Sequence, residues 1–347
     1  MVATYIDEQG PERDPEAAET HRSGGPARRL SNTAPSLARR GQGGNIRAAR
    51  GRRMAAHPVS PAPGAKGKCF HQNPKTSRLS ARPSQTTHEC TLQPRVGLFV
   101  TCLVDLMRPS VGFAAAHLIE KAGCTVVVPV GQTCCGQPAY NAGEQDTARD
   151  LALQTMRSFD GCDYVVAPSG SCAAMLRIHY PALFRGRGDI ELEMKAFAER
   201  VHELTSFLVN VRHMTGTDAR FEGRVAHHDA CSGLRELSIR SEPRRLLAAV
   251  AGLELVEAGE VAPCCGFGGL FSVKYPTISA AVADRKIEDL RAPAPDLVTG
   301  GDLGCLMNLA GRLNRSEHPL PCRHVAEVLA GNLDAPPIAW RDAGSPP

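Results

Sequence analysis

Two copies of Cys-Cys-Gly, set 130 positions apart, constrain this chain more than any other feature: QTCCGQP spans 132–138 and APCCGFG spans 262–268. The surroundings repeat too. RVGLFVTC (95–102) and RVAHHDAC (224–231) each run from a basic residue through an apolar stretch to a cysteine, Cys102 or Cys231. Helix-like VGFAAAHLIEKAG and PRRLLAAVAG follow, then strand-like CTVVVPV and LELVEA, then CCG. After each CCG comes a second helical stretch, DTARDLALQTMRSF or ISAAVADRKIEDLR, and a last apolar strand with a cysteine just beyond it, Cys172 or Cys305. Thirty-one residues separate Cys102 from Cys134 and 32 separate Cys231 from Cys264; 35 lie between Gly136 and Cys172, and 38 between Gly266 and Cys305.

A period this long is a domain rather than a solenoid repeat. Strand, helix, strand, helix, strand with runs such as GLFV and YVVA implies parallel βαβ units. We therefore expect an α/β fold: two related Rossmann-like parallel-sheet domains forming a pseudo-two-fold repeat. The expected boundaries are 95–188 and 216–335, with a connecting helix over 189–215 and a tail over 336–347. In the connector, Met194, Phe197, Val201, Leu204, Leu208 and Val211 fall at helical spacing.

Residues 1–94 read differently. They hold 15 Lys and Arg against seven Asp and Glu, whereas the rest of the chain carries a net charge of −4. Segments such as ARRGQGGNIRAARGRR show no apolar period, so this basic extension is expected to be disordered. It is either a binding or targeting tail or a stretch upstream of the native start. Six acidic residues crowd 7–19 and no apolar core of a signal follows, which fits neither a transit nor a secretory peptide. No 18-residue apolar window exists, so no transmembrane segment is expected. The expected compartment is the cytoplasm, and the acidic body gives no reason to expect a nucleic-acid partner.

Thirteen cysteines without an export signal read as metal ligands or redox groups rather than a disulfide framework. Parallel strands joined by right-handed crossovers put their C-terminal ends on one edge, so Cys102, Cys172, Cys231 and Cys305 can converge with the CCG pairs. Four cysteines together can hold zinc, an iron-sulfur cluster or two disulfides. Here they come from three separate elements rather than CxxC knuckles, and a vicinal pair chelates one small ion poorly but can reach two irons. The spacing favours iron-sulfur. Gly136 and Gly266 either let backbone amides approach the sulfurs or simply make a positive-φ turn. Cys124, Cys162, Cys322, Cys69 and Cys90 are expected not to be ligands. His227 and His228 close a strand just before Cys231, so one of them lies near the second site in a packing, hydrogen-bonding or ligating role.

The runs CCGQP, PSGSCAAM, HDACSGLRELSI, CCGFGGLFSVKYPTIS, GGDLGCLMNLAGRL and HVAEVLAG closely resemble the lactate utilization protein A family over 95–331. That group is part of the wider set of duplicated CCG-domain proteins, which includes one of the subunits of heterodisulfide reductase and the iron-sulfur subunit of glycolate oxidase. The resemblance implies a cytoplasmic iron-sulfur subunit of a complex that oxidises L-lactate to pyruvate. It implies two partner subunits, one of them ferredoxin-like, and a small 2-hydroxy acid as the substrate of the complex. Cys102, Cys134, Cys135 and Cys172 would bind one cluster, and Cys231, Cys264, Cys265 and Cys305 a second, both of 4Fe-4S type. The broader pattern ends each repeat in CxxC, but here Ser169 and Asp302 replace the first cysteine of that pair. This departure argues against the disulfide-cleaving chemistry of the five-cysteine relatives, and it leaves Asp302 as either an oxygen ligand or a turn cap. No GxGxxG fingerprint or P-loop is present, so catalysis is not expected of this chain alone. The alternatives are a heterodisulfide reductase-like thiol/disulfide oxidoreductase subunit and a zinc-binding structural scaffold.

Overall fold

A computed structural model describes residues 93–259 and 264–340. Each half of the chain builds a four-stranded, wholly parallel sheet. The first contains β1 (Arg95–Leu98), β2 (Thr125–Val127), β3 (Tyr164–Ala167) and β4 (Val201–Glu203), in the order β2-β1-β3-β4. The second contains β5 (Arg220–His228), β6 (Ala251–Val256), β7 (Leu297–Gly300) and β8 (Cys322–His324), in the order β6-β5-β7-β8. The α/β class and the duplication are thus as the repeat predicts.

The strand order places the sites. From β1 the chain steps to β2 on one side and then returns to β3 on the other, and β5, β6 and β7 do the same. Connections leaving β1 and β3 diverge, opening a crevice at the carboxyl ends of those neighbouring strands, the usual ligand position in such sheets. Cys102 and Cys172 follow β1 and β3; Cys231 and Cys305 follow β5 and β7.

The connector departs from expectation. Its helical spacing holds over Asp189–Glu199, but Val201–Glu203 then forms β4, which pairs with β3 (Val165 with Val201, Ala167 with Glu203). Leu204–Ser206 and a π-helical turn, Phe207–Val211, follow. A three-residue strand is too short to interrupt a 3.6-residue period visibly, and Val201 is buried in the strand as the helical period also required. The second half has the same surplus strand, so VHELTSFL and CRHVAEVL are also copies. Each fourth strand ends in a side-chain cap, Glu203 accepting from Ser206 N and His324 from Ala326 N.

The halves share a core. One apolar cluster runs from Val96, Leu98 and Leu118 of the first half to Leu309, Val325 and Leu329 of the second. Helix Pro109–Lys121 buries Val111, Ala114, Ala115, Leu118 and Ile119 and packs on helix Val325–Ala330. Beside that contact, buried Glu327 accepts from Arg108 Nε (2.8 Å) and Ser110 Oγ (2.6 Å) while its other oxygen caps His324 N (3.1 Å). At the carboxyl edges Gly170 and Gly233 meet backbone to backbone, and a Cβ on Gly170 would stand 3.1 Å from Gly233 Cα. His324 Nε2 reaches the carbonyl of Pro168 (3.1 Å); since its Nδ1 accepts from Ala326 N, Nε2 carries the proton. The extension expected over 1–94 lies outside the described residues except for Gln93 and Pro94, as do Cys69, Cys90 and most of the expected tail.

Candidate metal centres

The structure gathers the eight predicted cysteines into two groups of four. Cys102 opens helix Cys102–Met107, whose first turn is capped by Thr101 Oγ1 accepting from Val104 N. Cys134 and Cys135 arrive on the segment after β2, which Gln132 pins beside the end of β1: its Oε1 accepts from Val100 N at 2.8 Å. Gly136 then turns the chain with φ +81° into helix Gln137–Ala142. Cys172 sits in the first turn of helix Gly170–Ala174, where Ser169 Oγ accepts its amide (3.3 Å). The Sγ atoms of Cys102 and Cys134 are 3.8 Å apart, and Cys135 and Cys172 continue the chain of neighbouring thiols. The second half runs the same chain from Cys231 through Cys264 and Cys265 to Cys305, with Gly266 also at φ +81°.

Burial follows one pattern in both. Cys135 and Cys172, like Cys265 and Cys305, are buried, whereas Cys102, Cys134, Cys231 and Cys264 are half-exposed; all are free thiols. The first cysteine of each CCG is the resident thiolate. Hydrogen bonds from Cys102 and Cys135, helped by the Gly136 amide, pull Cys134 down to about 3. Those from Cys231 and Cys265, with the Gly266 amide, pull Cys264 down to about 2. Cys102 and Cys231, which donate those bonds and are partly desolvated, are pushed above the ordinary thiol range. Each glycine adopts positive φ, and Gly266 N also points at Cys264 Sγ (3.4 Å).

Residues not singled out in the sequence complete the sites. Buried Tyr180 donates its hydroxyl to the Cys135 carbonyl (2.9 Å), and Asn308 Nδ2 donates to the Cys265 carbonyl (2.8 Å). The same task falls to unlike residues at unlike positions along the helical stretch that follows the third strand of each sheet, which no repeat comparison exposes. His228 also converges: one of its ring nitrogens, Cys265 Sγ and Cys305 Sγ all lie within 4.8 Å of one another. Burial depresses its pKa to about 3. Neither ring nitrogen has a hydrogen-bond partner among the described residues, whereas His227 Nδ1 pairs with Thr299 Oγ1 at 3.0 Å. Cys124, Cys162 and Cys322 are buried at the amino ends of β2, β3 and β8.

Asp302 does not cap its own helix, Leu303–Leu313. Its carboxylate instead crosses to the other half and accepts from Ser171 N (2.9 Å) and Ser169 Oγ (3.0 Å), so the cap reading is corrected. A cavity of about 200 Å³ opens beside the first group, lined by Cys102, Cys134, Cys135 and Cys172 and, from the second half, by Phe267 and Asp302. This donor set fits a thiolate-bound metal group, and the cavity gives room for an inorganic core that a single ion clasped by four sulfurs does not need.

Two parallel sheets, each bearing a CCG loop and two strand-end cysteines, define a duplicated cysteine-rich domain protein. The family model described as CCG, cysteine-rich domain, matches residues 96–177 and 225–310. More narrowly, the chain belongs to the lactate utilization protein A family. It is 48% identical over 235 residues to lactate utilization protein A of Geobacillus thermodenitrificans, covering 68% of this chain and 98% of that relative. It is 47% identical over 235 residues to the Geobacillus kaustophilus protein of that name, with the same coverage. Lactate utilization protein A 2 of Bacillus cereus is 41% identical over 240 residues, covering 69% and 99%. Among the described residues no helix is long and apolar enough to cross a membrane.

Proposed function

We propose that the chain works in lactate utilization as the iron-sulfur, electron-transferring subunit of a cytoplasmic complex that oxidises L-lactate to pyruvate. Cys102, Cys134, Cys135 and Cys172 hold one 4Fe-4S cluster, and Cys231, Cys264, Cys265 and Cys305 hold the other. The observation that carries this reading is the convergence of four free thiols on the carboxyl edge of each sheet, with a cavity of about 200 Å³ against the first four. Bound there, such clusters take up and release single electrons at a potential set by hydrogen bonding and burial. The chain's own residues hold the sulfurs: Gln132, Tyr180 and Asn308 position the CCG loops, and Gly136 and Gly266 aim amides at the thiolates.

The names of the relatives support the metabolic setting. A ferredoxin-like subunit and a third protein complete the assembly, and the 2-hydroxy acid is oxidised at the level of that complex, since the chain carries no dinucleotide fingerprint of its own. The test is metal content: protein prepared without oxygen is expected to be brown and to carry about eight irons, four per cluster. Colourless protein with stoichiometric zinc would overturn the reading in favour of a structural scaffold. The cavity beside half-exposed Cys102 and Cys134 favours one second reading, a thiol/disulfide oxidoreductase acting on a small substrate. Turnover of a disulfide by the isolated chain would select it.

A further inference from the structure

The two cysteine groups are built alike but lined differently. Three residues before the first cysteine of each group stands a buried ring, Phe99 ahead of Cys102 and His228 ahead of Cys231. Phe99 packs on Phe159 with ring centroids 5.9 Å apart and shares an apolar cluster with Cys135 and Cys172, so it brings hydrocarbon to the first group. His228 brings two nitrogens to the second. It is 1% exposed at the carboxyl end of β5, and neither nitrogen is engaged among the described residues.

A buried polar group without a partner is costly and calls for an explanation. His227, next in the chain, needs none, because its ring is held by Thr299. The His228 ring stands instead among sulfurs, with one nitrogen and the Sγ atoms of Cys265 and Cys305 mutually within 4.8 Å, close enough for all three to face one iron-sulfur core. A neutral imidazole has one lone pair to give and is a common iron ligand.

We propose that His228 supplies a nitrogen ligand to the second centre, which therefore has five protein donors where the first has four. The proposal rests on the iron-sulfur reading above and makes the two centres chemically unequal despite the repeat. At the first centre the equivalent position, Phe99, offers no ligating atom.

The test uses the full chain, reconstituted anaerobically with iron and sulfide, with histidine either unlabelled or 15N-labelled in the ring, and pulsed electron paramagnetic resonance of its paramagnetic state. A strong histidine-nitrogen hyperfine coupling is expected that responds to the label, persists in Cys134→Ser, and vanishes in both Cys264→Ser and His228→Phe. If His228→Phe does not fold, the two cysteine variants decide alone. Two iron centres with no histidine coupling, or with only the weak coupling of a hydrogen bond through sulfur, would overturn nitrogen ligation and leave the iron-sulfur function standing. Protein that takes up no iron overturns both.

Discussion

Asp302 Oδ2 lies 3.0 Å from Ser169 Oγ, and the two residues hold the same place in the two repeats, each three positions before a cysteine of its group. The contact joins the loop of Cys172 to the loop of Cys305. A change at Asp302 therefore acts on the half that does not encode it. Asp302→Ala removes the acceptor of part-buried Ser171 N and leaves buried Ser169 Oγ with only Ser171 Oγ (3.2 Å), and is expected to cost about 1–3 kcal/mol. Urea unfolding checks the cost, and iron loss seen in a Cys264→Ser background but not in a Cys134→Ser background checks the direction.

Each CCG begins with a thiolate, and this has a pH signature. A pKa held near 3 for Cys134 and near 2 for Cys264 keeps both deprotonated at pH 6, while Cys102 and Cys231, raised above the ordinary range, stay protonated. Thiolate is the reactive form. Metal-free chain treated with iodoacetamide at pH 6 is expected to be alkylated at Cys134 and Cys264 ahead of Cys102 and Cys231, all four being half-exposed. Peptide mass spectrometry reads the order; equal labelling, or labelling of Cys102 first, contradicts the assignment.

The two CCG glycines share φ +81° but not their surroundings. At Gly136 a Cβ would meet Leu151 Cβ at 3.4 Å, an ordinary contact, so Gly136→Ala is expected to cost about 1–2 kcal/mol for the left-handed backbone alone. At Gly266 a Cβ would stand 2.4 Å from the Ser279 carbonyl oxygen, which cannot withdraw without disturbing helix Pro276–Arg291. Gly266→Ala is expected to be clearly the worse of the pair by denaturant midpoint.

Glu327 is fully buried and ties Arg108 and Ser110 of the first half to the cap of the last described helix. Removing one partner of a buried ion pair strands the other, so Glu327→Ala is expected to cost about 3–5 kcal/mol. Arg108→Met combined with Glu327→Leu should recover part of the loss, because it removes both charges. Thermal or chemical unfolding of the three variants checks the order.

Much of the fold was legible in the chain itself because the repeat supplied a second reading of every element. GLFV, YVVA and the long helices appear where the apolar periods put them, and Cys102, Cys172, Cys231 and Cys305 fall just past strand ends, with the CCG pairs on the loops that follow β2 and β6. β4 and β8 escaped because three residues do not define a period, and Tyr180 and Asn308 because they serve equivalent carbonyls from unrelated positions.

The order of residues by itself determined the α/β class, the duplication and the cysteines capable of meeting, since hydrophobic period and crossover handedness are local rules that a linear pattern records. How the halves dock was decided only in three dimensions. The crossing of Asp302 to Ser169, the Gly170 to Gly233 approach and the placing of the His228 ring against Cys265 and Cys305 depend on which carboxyl edges face one another. Those are properties of packing between distant segments, which no spacing along one strand or helix encodes.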